Sequence, residues 1–159
     1  PQLLAETPRK VYLITSLRVP SENWEYLDSV PCVSESSIAT IESQIDSLKR
    51  LDSKCFVFVM LHWGVEHVKV PSHYRVRDAH RLVAAGADCI VGHHPHCLQT
   101  VENYNGVPIY YSIGNFIFDQ KKPINTRAAI VTGTITADSA SFEMLQVEIE
   151  NCVPRLVEE

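Results

Sequence analysis

The sequence Cys-Ile-Val-Gly-His-His-Pro-His at residues 89–96 indicates both the fold and a candidate site. Its first three residues form an apolar run typical of a buried strand, and three histidines follow that run. A second apolar run, residues 56–61, is likewise followed by His62. Histidine is a poor strand filler, and neutral imidazole is the commonest protein ligand for divalent metals. Histidines gathered at strand ends therefore predict a metal site; the alternative is a turn that carries exposed histidines.

Pro95 refines the predicted geometry of this segment. Proline disfavours the helical region for the residue before it, so His94 is expected to be extended. In an extended segment, side chains two residues apart point the same way. We therefore predict that His94 and His96 project to one side as a pair of ligands, while His93 faces the other side.

Length and composition bound the class of protein. The 159 residues, 45% hydrophobic and 21% charged, are expected to form a single domain with a sizeable core. The net charge of −5 argues against duplex nucleic acid as a partner. No apolar run approaches the length of a membrane span and no signal-peptide pattern follows Pro1, so the chain itself is expected to be soluble. Because it begins with proline instead of methionine, we expect it to be a piece of a longer protein.

The five cysteines are scattered and include no Cys-x-x-Cys pair, which argues against a zinc ribbon or a thioredoxin-type motif. Cys55 and Cys89 open apolar runs and are expected to be small buried side chains.

The spacing of apolar residues predicts alternating strands and helices. Strands are predicted at residues 9–17, 56–61 and 87–91, and helices at residues 34–52 and 73–85, with Ser34 and Ser72 as N-caps and Gly86 ending the second helix. Residues 19–33 are expected to be a loop with one helical turn. Two crossover units in this order imply a largely parallel sheet. Further along, hairpins are predicted around Asn105-Gly106 and Asp138-Ser139. The sequence thus predicts an α/β fold with a mixed sheet and antiparallel C-terminal hairpins.

This fold places the histidines at one edge of the sheet. In a parallel α/β sheet, ligands bind beyond the carboxyl ends of the strands. His62 and the 93–96 turn both fall there, so His62, His94 and His96 are predicted to supply three nitrogen ligands. Three protein ligands suffice for one catalytic zinc. A two-metal site would also need carboxylate oxygens, for which Glu66 and Asp119 are nearby in the sequence.

Several further residues are candidates to line the pocket, and each has a structural alternative. If Glu66 does not line the pocket, it is a solvated loop carboxylate. The corresponding alternative for Trp63 is that it is a packing residue. Asn115 and Asp119 follow a strand into a glycine loop, where turn chemistry alone favours Asn and Asp. The set of pocket candidates is Glu66, His93, Asn115, Asp119 and Trp63. His67, His73 and His80 are expected on the surface or on a helix face.

Four motifs together resemble one known family. They are Leu-His-Trp-Gly-Val-Glu at residues 61–66, Ala-Gly-Ala-Asp at 85–88, Gly-His-His-Pro-His at 92–96 and Tyr-Tyr-Ser-Ile-Gly-Asn-Phe-Ile-Phe-Asp at 110–119. In this order and spacing they resemble the bacterial capsule-synthesis proteins of the CapA/PgsA type. Those proteins act in poly-γ-glutamate capsule formation and are similar in fold to calcineurin-like metallophosphoesterases. The resemblance covers about residues 10–156.

The resemblance implies a four-layer α/β/β/α sandwich with divalent metal ions (Mn, Zn or Fe), two of them in the complete domain. In the superfamily pattern, a lone His after a strand and a later Gly-His-x-His supply ligands, and His62 and His94/His96 match these. The spacing departs from that pattern because Gly92 lies two residues before His94. Either His93 or His94 is then the ligand, and side-chain alternation favours His94.

The early superfamily motifs Asp-x-His, Gly-Asp and Gly-Asn-His do not precede His62. These motifs would supply a bridging aspartate and further ligands. Residues 1–159 are therefore expected to be the C-terminal part of a larger metallophosphoesterase-like domain and to hold a partial site.

The resemblance also implies a function in capsule synthesis. It places the protein in the cell envelope or outside the cytoplasm, with other capsule-synthesis membrane components as partners. If catalytic, the protein would hydrolyse a phosphoester or act on an anionic polymer, because a bound metal lowers the pKa of water towards neutrality. Two alternatives stay open, since a fold does not fix a reaction. One is a non-catalytic component of a membrane synthesis or export assembly; the other is a metal-dependent amide hydrolase acting on the capsule polymer.

Overall fold

The fold is built on a six-stranded mixed sheet in the computed structural model, which describes residues 1–19, 33–119 and 122–157. The strands are β1 (Gln2–Ala5), β2 (Val11–Arg18), β3 (Phe56–Trp63), β4 (Cys89–His93), β5 (Val101–Tyr104) and β6 (Val107–Tyr110), in the order β1-β2-β3-β4-β6-β5. Strands β2, β3, β4 and β6 are parallel, and the edge strands β1 and β5 are antiparallel to their neighbours. The predicted parallel centre is confirmed. Most of the predicted 19–33 loop lies outside the described residues.

Two helices complete the crossover units, α1 (Ile38–Leu51) and α2 (His73–Ala84). The predicted cap Ser34 is wrong. Helix α1 begins four residues later because the Ser37 side chain accepts a 3.0 Å hydrogen bond from the backbone N–H of Thr40. Ser72 is the N-cap of α2 as predicted, and Gly86 has the expected left-handed conformation with φ +110°.

Side-chain alternation in β3 divides the core into two layers. Val57, Val59 and Leu61 are fully buried against the helices, where the α1 stripe of Ile41 and Ile45 meets them. The intervening residues of β3 face the opposite side of the sheet. A continuous apolar strand covered on both faces is what the sequence predicts for a central position.

The first residues after α2 hold the helix layer on the sheet. One carboxylate oxygen of Asp88 accepts hydrogen bonds from the backbone N–H of Val57 at 2.7 Å and from Lys49 Nζ at 2.6 Å. Asp88 thus joins α1, β3 and the start of β4. This contact gives the Ala-Gly-Ala-Asp motif at residues 85–88 a structural role.

A second, antiparallel sheet covers the other face. It consists of β7 (Arg127–Ile135), β8 (Ala140–Glu150) and β9 (Val153–Leu156), and a short 3₁₀ turn, Pro123–Asn125, leads into β7. The ring of Phe142 lies 6.0 Å from that of Phe56 and 5.9 Å from that of Phe58. The described residues thus form helix, sheet and sheet layers. The predicted α/β class with a mixed sheet and antiparallel C-terminal hairpins is confirmed.

The two predicted hairpins are present, and two strands are additional. Asn105 and Gly106 have φ values of 52° and 82°, as the tight turn between β5 and β6 requires. Strands β7 and β8 form the second hairpin. Strands β1 and β9 were not predicted; each is four residues long and lies at a sheet edge. In the described part of the chain, neither helix has the length and apolar character needed to cross a membrane.

Candidate metal centre

The parallel strands β3 and β4 end at the same level, which brings the predicted imidazoles together. His62 is the register partner of His93, the last residue of β4. The Nε2 atom of His62 lies 3.2 Å from Nδ1 of His94, and the two ring centroids are 5.0 Å apart. The ring of His96 is 6.2 Å from that of His94. His62, His94 and His96 therefore form one cluster beyond the carboxyl ends of the strands.

The backbone that produces this cluster differs from the prediction. His94 and His96 have φ values of 98° and 59°, so the predicted extended pair is wrong. A tertiary contact overrides the local preference, because the Pro95 carbonyl accepts a 2.8 Å hydrogen bond from the backbone N–H of His67. His67 also has a positive φ, 62°. Non-glycine residues in this region cost roughly 1–3 kcal/mol each, and such residues concentrate at functional sites.

His96 is fixed by two asparagines. Its Nδ1 lies 2.7 Å from Oδ1 of Asn115, and Nδ2 of Asn115 donates a 3.2 Å hydrogen bond to the backbone carbonyl of Asn125. Asn115 is 9% exposed and Asn125 is 1% exposed. The structure thus places the predicted pocket residue Asn115 directly behind an imidazole.

Glu66 and His67 close one side of the cluster. Oε1 of Glu66 is 3.8 Å from Nε2 of His96, and Oε2 is 3.7 Å from Nε2 of His67. The ring of His67 is 6.0 Å from that of His96, and its Nδ1 is within hydrogen-bond distance of the Asn125 side chain. His67 is 27% exposed, so it lies at the surface as expected, but it also contacts Asn125 beside the cluster. The position of His67 next to Glu66 was the available signal, whereas no sequence pattern indicated Asn125.

Desolvation favours the neutral form of three imidazoles at the strand ends, those of His62, His93 and His94. Desolvation lowers the pKa of His62, and neighbouring His94, His93 and His96 lower it further. Desolvation also lowers the pKa of His94, although the Glu66 carboxylate acts in the opposite direction. The pKa of His93 is lowered by desolvation as well. A metal ligand must be the unprotonated imidazole, so this environment favours the ligating form.

His93 and His62 open onto a cavity of about 570 Å³ beside β2 and β3. Its walls include Ser16, Ser34 and Met60. On the other side, His93 borders a larger and mainly apolar cavity of about 760 Å³ between the two sheets, which Asn115 also lines. His93 thus borders both cavities.

The remaining predicted residues lie away from the cluster or at its margin. Trp63 is 1% exposed and sits in the helix-side core, where its Nε1–H donates a 3.1 Å hydrogen bond to the carbonyl of Tyr111. This is the packing alternative for Trp63, not a pocket contact. The ring of Phe118 is 5.1 Å from that of His96, and Asp119, the next residue, is exposed.

The donor set is suited to a divalent ion, although it is not a closed site. Within residues 1–19, 33–119 and 122–157, no three His, Cys, Asp or Glu side chains form a ready metal-binding group. Two ligands at about 2.0–2.1 Å from a tetrahedral zinc are roughly 3.4 Å apart. The 3.2 Å between the His62 and His94 nitrogens is close to that separation. The chain's own residues therefore fit part of a metal centre.

Several known proteins similar to this chain are named for capsule, PGA or polyglutamine synthesis. The PGA biosynthesis protein CapA of Bacillus subtilis is 39% identical over 99 residues, which are 62% of this chain and 26% of that protein. The capsule biosynthesis protein CapA of Bacillus anthracis is 52% identical over 64 residues, 40% of this chain and 16% of that protein. A probable polyglutamine synthesis accessory protein of Mycobacterium tuberculosis is 38% identical over 61 residues, 38% of this chain and 16% of that protein.

The alignments therefore span about a quarter or less of these relatives. The family model described as bacterial capsule synthesis protein PGA_cap matches residues 13–120, which include most of β2, all of β3 to β6 and every histidine of the cluster. Because this match covers more than half of the 159 residues, the chain belongs to the bacterial capsule synthesis protein PGA_cap family.

Proposed function

We propose that this chain carries part of a divalent-metal centre that acts in phosphoester hydrolysis during capsule synthesis. His62, His94 and His96 would hold the metal. The observation that carries the proposal is the 3.2 Å approach of His62 Nε2 and His94 Nδ1 from two different strand ends, with His96 beside them. A bound divalent metal would supply Lewis-acid activation of water and of a phosphoryl oxygen.

The protein groups around the cluster would orient the substrate and handle protons. Glu66 is the carboxylate nearest to the cluster among the described contacts, and its side chain is 52% exposed. It can accept a proton at either oxygen from a group bound above His96. The cavity beside His62 and His93 has room for a small phosphoester or for the end of an anionic polymer.

The family gives this chemistry a setting. We propose a location in the cell envelope, with other capsule-synthesis membrane components as partners, because the relatives from Bacillus are named for capsule and PGA biosynthesis. We also propose that residues 1–159 are part of one larger metallophosphoesterase-like domain, whose other part would supply the second metal's ligands. The small share of each relative that aligns supports this proposal.

A non-catalytic role is the second candidate. The relative from Mycobacterium tuberculosis is named as an accessory protein, and the cluster described above is not a closed metal site. In this case the histidines would hold a structural metal in a synthesis or export assembly.

Metal content and turnover, measured on the same preparation, test both candidates. Residues 1–159 and the larger domain that we propose would each be examined by elemental mass spectrometry, and then assayed for hydrolysis of a generic phosphodiester with added Mn²⁺. His94→Ala removes a predicted ligand, and His73→Ala is the matched control, because His73 is an exposed histidine of α2.

We expect bound metal and turnover in the larger domain and in its His73→Ala variant, with both lost in its His94→Ala variant. Bound metal without turnover would favour the accessory role. Metal content that is unaffected by His94→Ala would contradict the proposed ligand set. Release of glutamate oligomers from capsule polymer, without phosphodiester hydrolysis, would instead indicate an amide hydrolase.

A further inference from the structure

The hydrogen bonds behind His96 determine which of its ring nitrogens carries the proton. The backbone carbonyl of Asn125 can only accept a hydrogen bond, so the Asn115 atom that faces it at 3.2 Å must be the amide nitrogen Nδ2. The oxygen of the same amide then points at His96 Nδ1, at 2.7 Å. Because that oxygen can only accept, Nδ1 must be the donor.

We infer that Asn115 is a positioning residue that holds His96 as the Nδ1–H tautomer and leaves the lone pair of Nε2 free for a cation. In neutral imidazole only one nitrogen is protonated, so a proton fixed on Nδ1 leaves Nε2 as an acceptor. Metal-ligating histidines commonly donate their other N–H to an oxygen that sets tautomer and ring orientation. The metal-binding part of this inference rests on the proposed function; the tautomer does not.

The contact on the other side of the ring points in the same direction. Nε2 of His96 faces Oε1 of Glu66 at 3.8 Å, which is beyond hydrogen-bond distance. With the proton on Nδ1, the lone pair of a nitrogen and a carboxylate oxygen face each other across a short gap. These two acceptors, Nε2 of His96 and Oε1 of Glu66, cannot form a hydrogen bond with each other, but both can bind a cation that lies between them. Glu66 is thus a candidate oxygen ligand beside His96.

The orientation of Asn115 depends on the second sheet. Asn125 closes the 3₁₀ turn that leads into β7, and its backbone N–H donates a 2.8 Å hydrogen bond to the carbonyl of Lys122. One residue further on, the Thr126 carbonyl accepts a 2.7 Å hydrogen bond from the backbone N–H of Ile149 in β8. The C-terminal sheet therefore fixes the carbonyl that orients Asn115, although it supplies no imidazole to the cluster.

Two substitutions at one position separate the tautomer from general structural damage. Asn115→Ala and Asn115→Asp both remove the donor to the Asn125 carbonyl, but only Asn115→Asp keeps an oxygen that can accept from His96 Nδ1. Long-range ¹H–¹⁵N correlation spectra of the assigned histidine rings report directly which nitrogen is protonated. They would be recorded on the metal-free protein at about pH 8.5, two units above the ordinary histidine pKa. Zn²⁺ affinity would be measured in parallel by calorimetry.

We expect His96 to be protonated at Nδ1 in the parent protein and in Asn115→Asp, and to change to the Nε2–H form in Asn115→Ala. Zn²⁺ affinity should fall by about 10- to 100-fold in Asn115→Ala, and by much less in Asn115→Asp. An Nε2–H form in the parent protein, or a tautomer that Asn115→Ala leaves unchanged, would overturn the inference. If the parent protein shows Nδ1–H but binds no Zn²⁺, the proposed metal function fails while the tautomer assignment stands.

Discussion

The Nε2 atom of His62 lies 3.2 Å from the Nδ1 atom of His94, although 32 positions separate the two residues in the sequence. The contact exists because β3 and β4 are parallel neighbours that end at the same level. Desolvation lowers the pKa of both imidazoles, which favours their neutral form. The two nitrogens are within hydrogen-bond distance of each other, and in the metal centre that we propose they would share one cation.

If they share an ion, the effects of His62→Ala and His94→Ala on Zn²⁺ affinity will not add. Each single substitution should lower affinity by more than the roughly 10- to 100-fold typical of outer-shell partners. The double substitution should cost little more than either one, because residues that act as a unit are non-additive. Calorimetric titration of the two single variants and the double variant measures this coupling. Losses that add would mean that the two histidines serve different ions.

The sequence predicted those parts of the fold that follow from regular periodicity. The stripe that contains Ile41 and Ile45 identified α1, and the continuous apolar run of β3 identified a strand covered on both faces. The short edge strands β1 and β9 have no such pattern. Strand β9 also contains Pro154. Proline is accepted in an edge strand, but its presence in a sequence argues against predicting a strand there.

The sequence predicted that His62, His94 and His96 would lie close together, but it did not predict the backbone conformation that places them there. Placing ligands beyond the carboxyl ends of parallel strands was sufficient to bring His62 and His94 together. The alternation rule failed at His94, because the backbone hydrogen bond from His67 to Pro95 imposes a left-handed conformation that local preference does not predict. The role of Asn125 depends on a contact with the second sheet, and no local pattern carries such information.

Gly92→Ala should destabilise the protein through a clash at the end of β4. A Cβ atom at this position would lie 1.9 Å from the carbonyl oxygen of Tyr111 and 2.5 Å from Nε1 of Trp63. The methyl group would therefore break the hydrogen bond between those two residues. Overpacking of this kind typically costs about 1–3 kcal/mol. Urea unfolding followed by tryptophan fluorescence measures the change in the free energy of unfolding.

Gly106→Ala is the informative comparison for Gly92→Ala. Nothing lies within 4 Å of a Cβ built on Gly106, so only its backbone conformation, φ +82°, opposes the substitution. That cost is about 1–2 kcal/mol and should leave Zn²⁺ affinity unchanged. Gly92→Ala should lower Zn²⁺ affinity as well, because it displaces the strand end that carries the histidines. Equal Zn²⁺ affinity in the two variants would mean that a clash at Gly92 does not displace the histidines.

Glu102 should make the stability of the protein depend on pH in the acid range. The Tyr111 hydroxyl donates a 2.7 Å hydrogen bond to Oε2 of Glu102, and His80 Nε2 lies 2.8 Å from Oε1. These hydrogen bonds, that of Tyr111 first, lower the pKa of Glu102 below its ordinary value of 4.5. The stabilisation is therefore complete above about pH 4.5, and it is lost as the pH falls through the lowered pKa.

Glu102→Gln removes this contribution. At pH 5.5 the variant should be less stable than the parent protein, and the difference should shrink at pH 3.5, where the parent protein loses the contribution as well. Urea unfolding at the two pH values measures the difference. Glu143→Gln, a substitution at an exposed residue of β8, serves as the control and should shift neither value. The prediction is contradicted if the parent protein and Glu102→Gln differ in stability by the same amount at both pH values. The hydrogen bonds would then not depend on the ionised form of Glu102.

The thiols should separate by reactivity according to their burial. Cys152 is exposed, whereas Cys55, Cys89 and Cys97 are buried. Burial raises the pKa of these three thiols, and that of Cys89 to about 12, so little of the nucleophilic thiolate is present near neutral pH. Iodoacetamide at pH 7.5, followed by peptide mass spectrometry, should therefore label Cys152 before these three buried thiols, and labelling in urea should reach every cysteine of the chain.

Cys97 makes the same experiment a probe of the candidate metal centre. It follows His96 directly, and its Sγ lies 3.5 Å from the carbonyl oxygen of Val68. Alkylation of Cys97 thus requires the loop that carries His94 and His96 to open. Zn²⁺ held by these histidines should slow the labelling of Cys97 while leaving that of Cys152 unchanged, because binding to the folded state opposes local opening. Equal labelling of Cys97 with and without Zn²⁺ would contradict binding at this loop, and Cys152 in the same sample controls for direct reaction of the metal with the reagent.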